Sequence, residues 1–183
     1  MAENHPFWTF SIKTYGSTNV APACLALQNS CGVNVNILLF CCWAGSQGMT
    51  LSSAQIEQGL KIVDSWNRDI VQGLRAVRQR LKGGFESVPE EQTEPLLQKI
   101  ISIELDAEKI EQHLLADSVS LNAGPSIASD DCLSAAALNI AAYFKQGHLE
   151  SMPDRNQHLV TVLSACFPAH TPDYVLGSVS KAF

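Results

Sequence analysis

Two apolar seams, each advancing in steps of four and three residues, constrain this chain more than any other feature. The first runs Ile56, Leu60, Val63, Ile70, Leu74, Val77, Leu81, with Asn67 in the one polar slot; the second runs Leu96, Ile100, Ile103, Ala107, Ile110, Leu114. That spacing belongs to helices that bury one stripe against a partner helix. Thr50 and Ser52 are both good N-caps for the first helix, and Gly83–Gly84 ends it. At 1.5 Å per residue each helix is roughly 40 Å long, and a connection of about ten residues suffices to return the chain antiparallel. The spacing therefore predicts a long helical hairpin over 50–119, with Asn67 fixing its register.

Helical text also dominates outside the seams. Short helices are expected over Phe7–Tyr15 behind Pro6, from Val20 to a stop at Gly32, and over Asn34–Ala44. Beyond a linker rich in Asn, Gly, Pro and Ser (120–129), further helices are expected over Asp130–Gln146, over Pro153–Phe167 and after Thr171–Pro172. Charge follows the same division. Residues 1–56 carry only Glu3 and Lys13, whereas residues 57–112 carry eleven acids and eight bases. The N-terminal third reads as core and the middle as solvated helix. The expected fold is a single all-α domain over 1–183, a bundle of six to eight helices built around the hairpin. Its sections are apolar N-terminal helices (1–48), the hairpin (50–119), the linker and the C-terminal helices (130–183). A hairpin that pairs with its own copy in a homodimer leaves the same pattern in the sequence.

Several function classes are disfavoured. A net charge of −6 gives no general attraction to nucleic acid or to an anionic membrane surface. The longest apolar run, Ile37–Gly45, is less than half a membrane span, and the polar start of the chain does not read as a signal peptide. Six cysteines at 24, 31, 41, 42, 132 and 166 sit mostly in apolar helical text and read as reduced core thiols of a cytoplasmic protein. No glycine-rich phosphate cradle and no nucleophile elbow occurs. Metal signatures such as C-x-x-C or H-E-x-x-H are missing, and Asp154 with His158, Cys166 and His170 reads as helix-surface polar groups and a packed thiol. Cys41–Cys42 is adjacent on a helix and reads as packing rather than a redox pair. No cofactor is expected.

Two constellations remain. Arg68, Arg75, Arg78 and Lys82 share one border of the first seam and either bind an anionic partner or pair with Glu94, Glu104, Asp106, Glu108 and Glu111 of the returning helix. Gln28, Asn34 and Asn36 lie in otherwise apolar text, where an amide must be hydrogen-bonded; they either tie helix ends together or line a pocket with tryptophans.

Phe7–Trp8–Thr9–Phe10–Ser11 with Tyr15, then Ala23–Cys24–Leu25–Ala26–Leu27–Gln28, then Gly32–Val33–Asn34–Val35–Asn36 leading into Leu38–Leu39–Phe40–Cys41 and Trp43, resemble the signature of an uncharacterised family of small proteobacterial proteins. Trp66 and Leu74–Arg75–Ala76–Val77–Arg78 fit the same pattern, so the resemblance spans roughly 7–115. It implies a cytoplasmic bacterial protein of unassigned activity.

Without catalytic spacing, the first functional expectation is a non-catalytic protein that binds an unidentified protein partner, or its own copy, through the hairpin. The alternative is a small-molecule-binding protein or enzyme with a pocket between helices. The residues singled out for binding are Trp8, Gln28, Asn36, Trp43, Trp66, Arg75 and Arg78.

Overall fold

The computed structural model describes residues 5–119, 129–149 and 152–183. The linker expected at 120–129 lies almost wholly outside them. The chain forms helices α1 (Pro6–Tyr15), α2 (Val20–Cys31), α3 (Val35–Ser46), α4 (Ser53–Trp66), α5 (Gln72–Lys82), α6 (Glu90–Ser118), α7 (Ser129–Gln146), α8 (Arg155–Cys166) and α9 (Pro172–Ala182). A π-helical turn, Asn67–Val71, joins α4 to α5 without a break. Counting that continuous rod once leaves eight helices among the described residues, and the fold is the expected all-α bundle.

α3 is the hub. Every residue from Asn36 to Gly45 is buried, so this helix is apolar on all sides rather than on one stripe. It packs most extensively on α7 and also touches α1, α6 and α8. Leu38, Leu39 and Phe40 are each at most 2% exposed, and burial of each contributes roughly 1.5–3 kcal/mol. The approach to α7 is close because position 45 is glycine: a Cβ there would stand 2.4 Å from both Cα and N of Ala136. Asn139 of α7, fully buried, accepts from Leu51 N (2.6 Å) and donates to the Met49 and Cys41 carbonyls, which fixes the turn between α3 and α4.

Local signals explain the boundaries. Pro6 occupies the first turn of α1 and the His5 ring accepts from Phe7 N. α2 ends at Gly32, whose φ of 72° lies in the left-handed region that glycine enters without strain. Asn34 caps α3, and Ser52 with Gln55 forms a capping box on α4.

α6 returns antiparallel to α4 and α5. Gly59 faces Leu115, Trp66 Nε1 donates to the Ala107 carbonyl (3.0 Å), and Arg78 meets Glu104. The contact line, however, is not the one the seams predict. Ile70 and Val77 are 40% and 46% exposed while Val71 is fully buried. The π turn supplies the reason: Gln72 N bonds Asn67 O, five residues back, so one extra residue enters the turn and the buried stripe advances by one. On α6 the buried line is Glu104, Ala107, Glu111 and Leu115, whereas Leu96, Ile103 and Ile110 are 49%, 49% and 46% exposed. Two carboxylates assigned to the flank thus sit on the inside.

No helix among the described residues is long and apolar enough to cross a membrane. The close α3–α7 contact makes a prediction: Gly45→Ala lowers unfolding free energy by about 3 kcal/mol, at the upper end of overpacking penalties. Gly73→Ala, where an added Cβ meets nothing within 4 Å, raises it by roughly 0.5–1 kcal/mol. Urea denaturation of both variants checks the pair.

Candidate functional site

The polar residues of the N-terminal third and of the hairpin converge. Glu111, fully buried, accepts from Asn34 Nδ2, from Asn36 Nδ2 (3.0 Å) and from Asn67 Nδ2 (3.1 Å to each oxygen). All partners are amide donors, which suits the acceptor-only role of a carboxylate. Asn34 sits at the cap of α3, Asn36 in its first turn and Asn67 at the head of the π turn, so one side chain of α6 fastens three segments. The chain at Asn34 is further held where its N–H donates to Tyr143 Oη at 2.8 Å.

One layer away lies an ionic cluster. Arg75 spends all three guanidinium nitrogens: Nε on Glu104 (3.3 Å), Nη1 on Gln28 Oε1 (2.6 Å) and Nη2 on Glu108 (2.9 Å). Arg78 grips Glu104 through Nε and Nη2, which raises the Arg78 pKa. Burial pushes the Glu108 carboxyl above the usual carboxylate range, against the pull of Arg75. Arg68 lies apart, paired with Asp64 and Asp69 on its own rod. Lys82 has no ion pair among the described residues.

Between these two groups runs a cavity of about 540 Å³, walled by α1, α2, α3, α5 and α6. Its apolar lining comes from Trp8, Ile12, Leu25, Val35, Leu39 and Leu105. Its polar groups are not scattered. At one end Ser11, Asn36 and Gln112 face the cavity; at the other are Tyr15, Arg75, Arg78, Lys82, Glu104 and Glu108. Gln112 Nε2 donates to Asn36 Oδ1 (2.8 Å), yet Gln112 Oε1 and Ser11 Oγ are buried with no hydrogen-bond partner among the described residues. An unpartnered buried polar atom costs about 1–3 kcal/mol.

Five of the seven residues expected to bind line this cavity: Trp8, Gln28, Asn36, Arg75 and Arg78. Trp43 does not. It is 8% exposed and packs on Phe7, Phe40 and His5, because α3 turns that face into the core. Trp66 does not either; its indole N–H is committed to Ala107 on the hairpin contact. Ser11, Tyr15, Glu104, Glu108 and Gln112 went unnoticed as site residues. The signal available for the acids was the seven-residue interval from Glu104 to Glu111, which matches the period of the seam itself.

Neither open alternative of the sequence excludes the other. Arg75 and Arg78 pair with the returning helix and also line the cavity; Asn34 and Asn36 tie segments together at the cavity wall. Among the described residues no group of three or more His, Cys, Asp or Glu could hold a metal ion. The cysteines form no disulfide there. Cys24 is pushed up to about 12 by burial, Cys41 is raised by burial, and Cys42 is raised by its hydrogen bond with Cys166 and by burial.

This geometry characterises a helical bundle with one polar-ended cavity at the junction of its hairpin and its N-terminal helices. The chain belongs to the family described as Protein of unknown function (DUF2390), whose match covers residues 6–115. All residues lining the cavity, from Trp8 to Gln112, fall inside that stretch. Comparisons with curated proteins and with solved structures return no match.

Two outcomes are expected. Glu111→Gln presents an NH2 group to three amide donors and lowers stability by about 3 kcal/mol, while Asn67→Ala lowers it by about 1–2 kcal/mol; chemical denaturation reads both. At pH 8 a thiol reagent modifies Cys132 and Cys166, both partly exposed, while Cys24, Cys41 and Cys42 react only on unfolding. Mass spectrometry of the labelled peptides checks the order.

Proposed function

We propose that this protein binds a small molecule in the cavity between its N-terminal helices and its hairpin. The observation that carries this reading is the pair Ser11 Oγ and Gln112 Oε1, buried and unpartnered in the wall of a 540 Å³ space. Such a space is within the usual range for ligand pockets, and a mostly apolar lining with a few convergent polar groups is their usual composition. Nothing in the lining supplies a nucleophile beside a general base, so binding rather than catalysis is the reading. A cytoplasmic setting is part of the same proposal, supported by the lack of any disulfide among the described cysteines. The net charge of −6 supports a ligand other than nucleic acid.

The test is native mass spectrometry of protein purified gently from its host, compared with Leu105→Trp. Leu105 lies at the lip of the cavity and is 45% exposed, so a larger ring there fills space without disturbing the core. A bound small mass that disappears in Leu105→Trp is the expected result; a bound mass indifferent to that change places the ligand elsewhere and refutes the reading.

A second reading, association through the hairpin, is favoured by the apolar residues that the displaced seams leave outside. Leu96, Ile103 and Ile110 stand seven residues apart on α6, and Ile70 and Val77 are exposed on the rod it packs against. The partner that fits is a second copy of this chain. Antiparallel pairing of two α6 helices about Ile103 sets Leu96 opposite Ile110, so the stripe is complementary to itself in apolar contacts. Light scattering at micromolar concentration is expected to show a dimer that Ile103→Glu converts to monomer. A wild-type monomer at that concentration overturns this second reading and leaves the first untouched.

A further inference from the structure

The two ends of the cavity differ in kind, and the difference specifies a ligand class. Gln112 and Glu104 lie eight residues apart on α6, a separation of about 12 Å along the helix. α1 runs antiparallel alongside: Lys109 approaches the Trp8 ring, while Tyr15 feels the charges of Glu108, Arg75 and Arg78. Trp8 and Ser11 therefore share the Gln112 end, and Tyr15 shares the arginine end.

At the neutral end the vacancy is an acceptor. The Gln112 amide is held by its bond to Asn36, which in turn is fixed on Glu111, and its Oε1, buried in this wall with no partner among the described residues, calls for an N–H or O–H donor. Ser11 Oγ beside it serves as donor or acceptor. At the charged end the vacancies are donors. Arg75, Arg78 and Lys82 face only Glu104 and Glu108 in the lining. Arg75 already bonds through each of its three nitrogens, whereas among the described residues Arg78 Nη1 makes no hydrogen bond and Lys82 has no ion pair. The two carboxylates are already engaged by arginines, so the unspent valence at this end is positive.

Resting on the pocket reading above, we infer that the ligand is an amphipathic small anion: an apolar, ring-sized body with a carboxylate, sulfonate or phosphate at one end and a hydrogen-bond donor toward the other. The acid group sits against Arg78 Nη1 and Lys82, the body lies along Trp8, Ile12, Leu25, Leu39 and Leu105, and the donor reaches Gln112 Oε1. A cationic ligand meets the wrong sign at the mouth. A wholly apolar one leaves Gln112 Oε1 unpartnered.

A matched pair of probes separates these terms. The anion 2-anilinonaphthalene-6-sulfonate and its uncharged parent N-phenyl-2-naphthylamine share one body and one N–H donor and differ by the sulfonate. Calorimetric titration of the full chain is expected to show one site per chain, with the sulfonate bound at least tenfold more tightly than the parent. Lys82→Glu, a change at an exposed side chain that leaves the ion pairs of Arg75 and Arg78 intact, is expected to narrow that preference severalfold, and 0.5 M salt to narrow it likewise, because exposed charges are screened. Arg78→Gln, checked for folding by circular dichroism, is expected to abolish most of the remainder, and Gln112→Leu to weaken both probes alike. Equal affinities for the two probes, insensitive to salt and to Lys82→Glu but lost in Leu105→Trp, overturn the anion inference while the pocket stands. Binding of neither probe, or binding that Leu105→Trp leaves unchanged, overturns the pocket reading and this inference with it.

Discussion

The rest of the structure depends on one buried carboxylate. Glu111 has no exposed surface, and three asparagine amides from the start of α3 and from the π turn converge on its two oxygens. An ionised group inside a protein is tolerated only when its hydrogen-bonding capacity is filled, and removing one partner leaves a charge stranded. The constraint acts in three directions at once. It sets how far the hub helix α3 projects toward α6, which face of the α4–α5 rod meets α6, and the rotation of α6 itself. An apolar contact in the same place tolerates sliding by a fraction of a turn, whereas a carboxylate with directional donors does not.

The π turn follows from that constraint. A regular helix through 67–71 carries Ile70 inward and leaves the buried stripe in its heptad phase. The extra residue keeps Asn67 on Glu111 while advancing Val71, Arg75 and Arg78 to the inside. Arginines that a straight rod holds at the border thereby reach the cavity wall, with Gln28, Glu104 and Glu108 ready to accept their bonds. π turns lie often at functional sites, and here the mechanical effect is visible: the turn trades an apolar seam position for a guanidinium that lines the cavity. Ile70 and Val77, displaced by the trade, are left exposed on the rod.

Much of the fold is legible in the sequence because it rests on signals local to each segment. Pro6, Gly32, Ser52, Gly83 and Thr171–Pro172 mark helix ends through backbone rules that need no tertiary context, and the uninterrupted apolar text of Ile37–Ala44 identifies the buried hub. The seam phases are not legible, for a physical reason. A count in steps of three and four assumes 3.6 residues per turn throughout, and a single five-residue hydrogen bond breaks that assumption without leaving a glycine or proline behind. The site divides the same way. Gln28 and Asn36 stand out because amides in apolar text demand partners; Glu104 and Glu111 do not, because acids among acids and bases look like a solvated face. Trp43 and Trp66 lie away from this cavity, since a tryptophan fills a core or bridges two helices as readily as it lines a pocket.

The asymmetry between the two polar groups of the cavity explains why the bundle keeps an internal space at all. Around Glu111 every oxygen is used, and that layer is closed. One residue further along α6 the bonds stop short: Gln112 offers its N–H2 to Asn36 and keeps its carbonyl, and Ser11 of α1 keeps its hydroxyl. An apolar residue at either position closes the gap between α1 and α6 and relieves the unsatisfied atoms. Polar atoms retained there lower the stability of the empty protein, and under the proposed binding a donor on the ligand returns that free energy. Under that proposal, stability of the fold and occupancy of the cavity are coupled through α6, which carries the closed layer and the open one on adjacent residues.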